Sequence, residues 1–314
     1  MKALIALTLL ALAMPVRATP DLQPPVRGTH IRLTPPAGFV AADRFMGFLS
    51  EETGASIMIS ELPASLDEVT RGFTADGFKK QGMTQLSQEK THFGAHPGLL
   101  WSAAQMADGV DYLKWLAVFG DDKTTYLVVA TFPKEAHAEL SEVLKKVVMD
   151  ARVSTEKVDP IDGLNFRVSE VEDMKIAKVI GNSILLSKGG VFPAKSTEIP
   201  IFVAAPSTSV GLRIPDKKVF AEARLQQIAT LKEVHVKTTE PIKVAGLDGF
   251  ESTAEALHEA TATKMLVYQA VLFEADSYYV FHGITTERAG KPHFAIFQQI
   301  TRSFRTMAAT APPK

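Results

Sequence analysis

The pattern of apolar and polar positions in the first half of the chain predicts a β-hairpin followed by a helix. Residues 45–50 and 55–61 are two largely apolar runs, and Gly54 supplies the positive φ that the turn between them needs. Ser65 and Glu68 then have the spacing of a capping box, with apolar residues at roughly helical intervals behind them. We therefore expect the order strand, turn, strand, helix.

The second half of the chain shows the same order of patterns. Residues 183–187 and 197–206 predict a hairpin with a longer loop that contains Gly and Pro, and a helix opens at Pro215. An extended polar segment follows the helix in both halves, at 83–91 and at 233–241. Self-similarity over this length indicates that one structural unit occurs twice.

Each polar segment runs into a bend that contains glycine, and each bend leads into a predicted three-strand meander. The bends are "FGAHPGLL" at 93–100 and "VAGLDGFE" at 244–251. The predicted strands are 99–106, 110–119 and 124–132 in the first half, and 250–256, 263–273 and 278–284 in the second. A helix with an apolar stripe closes each half. Since the bends stand at equivalent places, backbone geometry explains their glycines, and only His96 is left without a counterpart.

Strands that are grouped together, with helices between and after them, predict an α+β fold. We expect two tandem α/β/α sandwich domains, each a mainly antiparallel sheet packed with helices, and we expect the two helices of each half to cover one face of its sheet. The predicted ranges are a signal peptide at 1–18, a first domain at 22–153, a linker at 154–162, a second domain at 163–307 and a disordered tail at 308–314.

Several of these elements together resemble the PsbP-like superfamily, which includes the DcrB-type bacterial envelope proteins. The resemblance rests on "PAGF" at 36–39, on the helix after the first hairpin, on the glycine bend before the meander, and on the terminal apolar helix that ends in "ITRSF" at 300–304. It implies an α/β/α sandwich in each half and a partner-binding role without a shared catalytic set. It also suggests a role in envelope assembly or phage adsorption. The second half lacks the element that matches "PAGF", and a tandem arrangement differs from the single-domain photosystem subunit.

The N-terminal residues have the features of a secretory signal peptide. Lys2 precedes a short apolar core, and small residues stand before an expected cleavage site after Ala18. The apolar run is too short to span a bilayer, so we expect no transmembrane segment after cleavage. The sequence therefore predicts a periplasmic or secreted protein. It contains no cysteine and hence no disulfide.

Charge argues against nucleic acid as a partner. Removal of Lys2 and Arg17 with the signal leaves 32 basic and 35 acidic residues, a formal net charge of −3. The basic residues form no cluster of the kind that binds a phosphate backbone. The partner that the sequence suggests is an unknown envelope protein or a small ligand.

Three histidines are the candidates for chemistry. His92 and His96 are four residues apart, which places two imidazoles on one metal ion if the backbone is helical, but this spacing crosses a strand end and a bend. They are weak candidates for a metal site, and two surface side chains on a loop is the favoured interpretation. His282 lies in the last strand of the second half, where it aligns with Ala130 of the first half. A satisfied interior histidine is favoured there over a catalytic base, because no serine or carboxylate stands at a fixed spacing to it.

Three aromatic residues are the candidates for binding a partner. Trp101, Tyr112 and Trp115 lie in adjacent strands of the first meander, where alternation can place them on one face of the sheet. Under a helix they are core residues, and on an exposed face they form a contact patch.

The sequence thus favours a non-enzymatic binding protein of the cell envelope that uses its sheet edges, the cleft between its two halves or the loops near the bends. We expect no catalytic residue and no cofactor. The alternative is a metal-dependent or histidine-assisted hydrolase that uses His92, His96 or His282 with a nearby carboxylate.

Overall fold

A computed structural model describes residues 23–107, 109–208, 212–288, 290 and 292–307. The predicted signal peptide at 1–18 and the predicted tail at 308–314 lie outside the described residues. Each half of the chain contains one seven-stranded antiparallel sheet, so the prediction of mainly antiparallel sheets is confirmed.

The first half runs from a short strand near its start to the strand that pairs with it at its end. Its strands are β1 (Ile31–Arg32), β2 (Val40–Ala41), β3 (Gly47–Ser50), β4 (Ala55–Leu62), β5 (Met83–Phe93), β6 (His96–Ala107), β7 (Val110–Gly120), β8 (Thr125–Pro133) and β9 (Arg152–Val153), and its helices are α1 (Leu66–Thr70), α2 (Ala75–Lys80) and α3 (His137–Met149). The sheet order is β2-β3-β4-β8-β7-β6-β5, and β1 pairs with β9.

The second half has the same sheet order. Its strands are β10 (Phe166–Arg167), β11 (Met174–Ile180), β12 (Ser183–Lys188), β13 (Ile201–Pro206), β14 (Leu231–Val244), β15 (Leu247–His258), β16 (Lys264–Phe273), β17 (Tyr278–Thr286) and β18 (Arg305–Thr306), and its helices are α4 (Lys217–Leu225) and α5 (Pro292–Arg302). The sheet order is β11-β12-β13-β17-β16-β15-β14, and β10 pairs with β18. Strand for strand, the order matches that of the first half.

Helices pack on both faces of each sheet, which corrects the expectation that the two helices of a half share one face. In the first half Leu144 of α3 packs in the cluster that contains Ala117, whereas Phe78 of α2 packs in the cluster that contains Leu116. Neighbouring residues of a strand point to opposite faces, so these clusters lie on opposite sides of the sheet. In the second half α5 and α4 divide the two faces in the same way.

The structure differs in detail from the predicted first helix and from the two predicted bends. Ser65 caps α1 by accepting from the Glu68 amide, but the helix is interrupted, and Thr74 caps a separate α2. Each bend is a two-residue hairpin turn that opens with Gly94 at a φ of 63° in the first half and with Ala245 at 51° in the second. The polar segments before the turns are therefore full edge strands, β5 and β14.

The predicted domain and linker boundaries stay a prediction, although the start of the linker packs on the first half. The Ser154 amide donates to the His30 carbonyl at 2.7 Å, and Glu156 forms an ion pair with Arg32. Among the helices of the described residues, none combines the length and the apolar character that crossing a membrane requires.

Candidate functional site

The structure does not bring His92 and His96 together as metal ligands. His92 pairs with Pro97 and Phe93 pairs with His96 across the hairpin, so the two histidines point to opposite faces of the sheet. His92 is exposed, and His96 is half-buried with its ring 6.1 Å from the ring of Tyr126. In the described parts of the chain, no group of three or more His, Cys, Asp or Glu residues is arranged to hold a metal ion.

The three candidate aromatic residues do not form one patch. Trp101 is 1% exposed, and its ring stacks on Phe73 beneath α1 and α2, at a centroid distance of 4.8 Å. Trp115 lies on the opposite face, where its indole N–H donates to the Ser141 carbonyl of α3 at 3.0 Å. Tyr112 is half-buried and belongs to the face of Trp101. A buried Trp101 has no surface to offer a partner, so the patch that alternation suggested is not assembled.

His282 is half-buried and bonds to the buried Gln269, which links the sheet to α4. Its Nε2 lies 3.0 Å from Gln269 Oε1, and the Gln269 amide in turn donates to the Ala221 carbonyl at 2.7 Å. Burial lowers the pKa of His282 to about 4, and the charge of Arg224 acts in the same direction. A neutral imidazole that satisfies a buried amide has a structural role.

A cleft of about 280 Å³ lies where the two halves meet. The first half contributes His30, Glu61 and Tyr126 to its wall, and the second half contributes Lys178 and Val179 from β11. These residues come from segments far apart in the sequence. They become neighbours because β1 returns to β9, β4 pairs with β8, and β11 approaches β4.

Glu61 fixes the orientation of His30. The His30 backbone N–H donates to Oε1 of Glu61, and His30 Nδ1 lies 2.8 Å from Oε2. Because a carboxylate only accepts, Nδ1 carries the proton and Nε2 is left outside this bond. The side chains of His30 and Glu61 are 33% and 18% exposed, so the pair is partly open to solvent.

Tyr126 forms the apolar part of the same wall and lies in a negative potential. It is 8% exposed, and it pairs with Glu61 across β4 and β8. Burial raises the pKa of Tyr126 to about 12, and the charges of Glu61 and Asp121 add to this shift. The backbone amides of Lys123 and Thr124 lower the pKa of Asp121, so its carboxylate is charged at neutral pH. We call His30, Glu61, Asp121 and Tyr126 the first-half corner.

The strand register defines the equivalent corner of the second half. Gly98 and Gly249 both lie where a side chain would meet the neighbouring strand, and following the register from them across the sheet equates Tyr126 with Tyr279. Pro206 pairs with Tyr279 as Glu61 pairs with Tyr126. By the same register His282 corresponds to Val129, not to its neighbour Ala130.

Two pairs of equivalent hydrogen bonds complete the correspondence between the corners. The Glu274 amide donates to the Ser277 carbonyl as the Asp121 amide donates to the Thr124 carbonyl, at 2.9 and 3.0 Å. The Asn165 carbonyl accepts from the Met307 amide as the His30 carbonyl accepts from the Ser154 amide. The second-half corner therefore consists of Asn165, Pro206, Glu274 and Tyr279.

A segment of the first half fills the second-half corner. Residues 43–46, which we call the arm, connect β2 to β3. Arg44 forms an ion pair with Glu274, and its guanidinium lies 5.2 Å from the centre of the Tyr279 ring. Met46 is 5% exposed and packs in the core cluster of the second half.

The equivalent turn of the second half leaves the first-half corner open. This turn, between β11 and β12, comes close to β4, because a Cβ on Gly181 would lie 3.3 Å from Ser60 Oγ. Its next residue is Asn182, whose amide donates at 3.2 Å to the carbonyls of Arg44 and Pro206. This short side chain is held by those two carbonyls, away from the first-half corner. The cleft is thus the unfilled member of a pair of equivalent corners.

Sequence reasoning missed all of the residues that line the cleft. His30 and Glu61 are 31 positions apart and belong to no motif, and Lys178 comes from the other half. The signal becomes readable only in the structure, where the strand register equates Glu61 with Pro206 and Arg44 with Asn182. A charged residue at only one of two equivalent positions marks a place where the halves differ in role.

No protein-family model and no curated protein matches the chain. Among solved structures, it is similar to the immunity protein TplEi of a type VI secretion system from Pseudomonas aeruginosa, with 14% identity, 87% of this chain and 97% of that chain covered, and a TM-score of 0.33. It is also similar to a chain of the Tle4-Tli4 complex, with 13% identity, 88% of this chain and 100% of that chain covered, and a TM-score of 0.33.

A protein of unknown function from Pseudomonas aeruginosa, 88% of which is covered, matches 46% of this chain at 13% identity and a TM-score of 0.30. Likenesses at these identities and TM-scores establish neither a family nor a function for this chain. The PsbP-like relationship that the sequence suggested is not confirmed.

Proposed function

We propose that this chain is a non-enzymatic binding protein and that its cleft holds a segment of a protein partner. The observation that carries the proposal is the difference between the two corners. The second-half corner buries the arm, whereas the equivalent first-half corner is open and has a cavity of about 280 Å³. This volume is at the small end of the range for ligand sites, and it suits a side chain or a short turn better than a large cofactor.

The location that we propose is the periplasm or the outside of the cell. Support comes from the sequence of residues 1–18, where a basic residue, an apolar core and small residues precede Thr19. N-terminal sequencing of the exported chain is expected to begin at Thr19. Recovery of a chain with an intact Met1 from the periplasmic fraction would contradict this part of the proposal.

The proposal treats the histidines that the sequence singled out as structural or surface residues. His92 and His96 point to opposite faces of one hairpin, and His282 is held by Gln269. The PsbP-like α/β/α sandwich remains part of the proposal, and it is supported by the helices on both faces of each sheet. That resemblance also implies partner binding in place of catalysis.

A histidine-assisted hydrolase is the alternative function, and one observation favours it. Glu61 orients His30 as a carboxylate orients the base in a catalytic triad, and His30 lines the cleft. The alternative predicts hydrolysis of p-nitrophenyl acetate by the mature chain that is lost in His30→Gln. A rate equal to that of buffer alone for the unmodified chain would eliminate it.

Blocking the cleft tests the proposed function. Val179 lines the cleft, and we expect Val179→Trp to fill it and to reduce recovery of a partner from envelope extract by about tenfold, the effect of losing roughly 1.4 kcal/mol of binding free energy. Val219→Trp is the matched control, because Val219 is 59% exposed on α4, away from the cleft. Equal recovery with the two variants, quantified by mass spectrometry per mole of folded chain, would refute the proposal.

A further inference from the structure

The second-half corner shows which side chain a corner of this kind binds. In the second half, the Arg44 guanidinium lies over the Tyr279 ring and pairs with the Glu274 carboxylate. The Arg44 side chain is only 11% exposed, so most of its surface has left water. A tyrosine face next to a carboxylate is favourable for a planar guanidinium, which combines stacking with a charged hydrogen bond.

The first-half corner has the same two groups in the same register. Tyr126 stands where Tyr279 stands, and Asp121 stands where Glu274 stands in the turn that precedes the strand. It also has a second carboxylate, Glu61, where the second half has Pro206. Of its own residues, the open corner therefore has two carboxylates where the second-half corner has one, Glu274, although the arm brings a further carboxylate, Asp43, near Tyr279.

The basic residues around the cleft leave this charge available. Lys178 and Lys123 are exposed, and among the described residues no ion pair joins either of them to Glu61 or to Asp121, although the charge of Lys123 acts on Asp121. Because these two side chains reach solvent, counterions screen their charges. His30 is bound to Glu61 through Nδ1, and the ring of His96 lies beside Tyr126 at an angle of 64°. No described residue occupies the first-half corner as Arg44 occupies the second.

We propose that the first-half corner binds an arginine side chain on a loop of a protein partner, in the way that the second-half corner binds Arg44. This inference rests on the proposed function and specifies its partner chemistry. The occupant is a different protein, because the arm of the chain itself is already held in the second-half corner by Glu274 and Asn182.

A peptide copied from the arm is the probe for this inference. The acetylated, amidated peptide of residues 41–47, "AADRFMG", is titrated into the full mature chain, and the same peptide with the Arg44→Gln substitution is the matched control. We expect binding that perturbs the amide signals of Thr124, Tyr126 and Gly181, and that is about tenfold weaker for the glutamine peptide because the charged hydrogen bond is lost. Equal affinities of the two peptides would overturn the inference.

Variants of the chain locate the binding. Glu61→Gln and Asp121→Asn are each expected to weaken binding of the arginine peptide by about fivefold or more, because a bond to a charged group is replaced by a neutral one. Glu89→Gln is the matched control, since Glu89 is exposed on the edge strand β5, three strands away from β8, and does not line the cleft. Two separate variants keep the test valid if one of them folds poorly.

The failure of this inference is distinguishable from the failure of the proposed function. If no peptide binds but Val179→Trp still loses the partner, the cleft is a docking site for other chemistry and the arginine inference is wrong. If Val179→Trp retains the partner, the proposed function itself is wrong. Undiminished peptide binding in both Glu61→Gln and Asp121→Asn would also contradict the inference.

Discussion

The two halves of the molecule share one sheet order but differ at the corner where they meet. In the second half Tyr279 is 1% exposed beneath Arg44, and in the first half the equivalent Tyr126 is 8% exposed in an open cleft. The difference comes from the turn that each half extends toward the corner of the other half. The arm carries a long arginine and a methionine, whereas the equivalent turn carries Asn182. The first half thus fills the corner of the second half, whereas the second half leaves the corner of the first half open.

The same contrast extends to charge. Of its own residues the filled corner has one carboxylate, Glu274, which is paired with Arg44, and the arm adds Asp43 near Tyr279. The open corner has Asp121 and Glu61, and Glu61 is satisfied only by His30 among the described residues. A partly exposed charged group costs little to keep in water, so the open corner tolerates an excess of carboxylates that a closed one would have to pair.

Removing the methionine of the arm is expected to have the largest effect. Met46 is buried in the second-half core, so Met46→Ala should lower the free energy of unfolding by about 2–4 kcal/mol. Urea unfolding measures this change. The matched control is Met106→Ala, where the side chain is 72% exposed and a change within about 0.5 kcal/mol is expected. Equal effects would mean that the arm does not fill the second half.

Acid should destabilise the second half more than the first, because His282 stands where the first half has Val129. The pKa of His282 is about 4 in the folded chain, below the unfolded value of 6.5, so the unfolded state takes up protons between these values. The stabilisation is complete above pH 6.5 and is lost as the pH falls through about 4. Relative to pH 8, unfolding at pH 5 should cost about 2 kcal/mol less.

The control for the acid effect is a chain without the histidine. In His282→Gln the amide can still bond to Gln269, and the part of the pH dependence that belongs to this site should disappear. Chemical unfolding at pH 5 and at pH 8 measures both chains. A variant that keeps the full pH dependence would assign the proton uptake to another group.

Loss of the arginine should open the second-half corner at moderate cost. Because Glu274 is 32% exposed and partly screened, we expect Arg44→Gln to lower the free energy of unfolding by about 1.5 kcal/mol. Lys146→Gln is the control, since Lys146 and its partner Asp150 are exposed side chains one turn apart at the end of α3, and such pairs contribute about 0.5 kcal/mol or less. A double-mutant cycle with Glu274→Gln isolates the coupling, and a coupling of zero would contradict the assigned pair.

Neutralising the open corner should have the smallest effect on stability. Glu61→Gln keeps one acceptor for His30 but removes the charge, and we expect a loss of about 0.5–1 kcal/mol in thermal or urea unfolding. The same substitution is expected to have a large effect on binding. A stability loss as large as that of Met46→Ala would indicate that Glu61 serves the fold and not a partner.

The sequence predicted the elements of this fold more fully than it predicted the site. Gly54, the Ser65 cap and the two glycine bends are local signals, and each stands where expected because turn and cap chemistry acts within a few residues. The placement of helices on both faces was missed, because an apolar stripe does not tell which face of a sheet it meets. Aligning His282 with Ala130 instead of Val129 is a one-residue slip, which transfers a side chain to the other face.

The site was beyond sequence reasoning for a physical reason. His30, Glu61, Tyr126 and Lys178 meet only after two separate strand pairings and the contact between the halves are in place. Their spacing in the sequence therefore carries no periodic signal. The substitution pattern between the halves, with Glu61 against Pro206, becomes informative only when the register fixes which positions correspond.

The most direct test puts an arginine into the turn of the second half that faces the open first-half corner. Asn182→Arg places a long cationic side chain in the turn that faces the first-half corner, and we predict that it fills the corner in cis and abolishes partner recovery from envelope extract. Asn182→Ala is the control, because it loses the same hydrogen bonds to Arg44 and Pro206 without adding a guanidinium. We expect recovery with the alanine variant and none with the arginine variant. Equal recovery with both would contradict the claim that the open corner is the docking site.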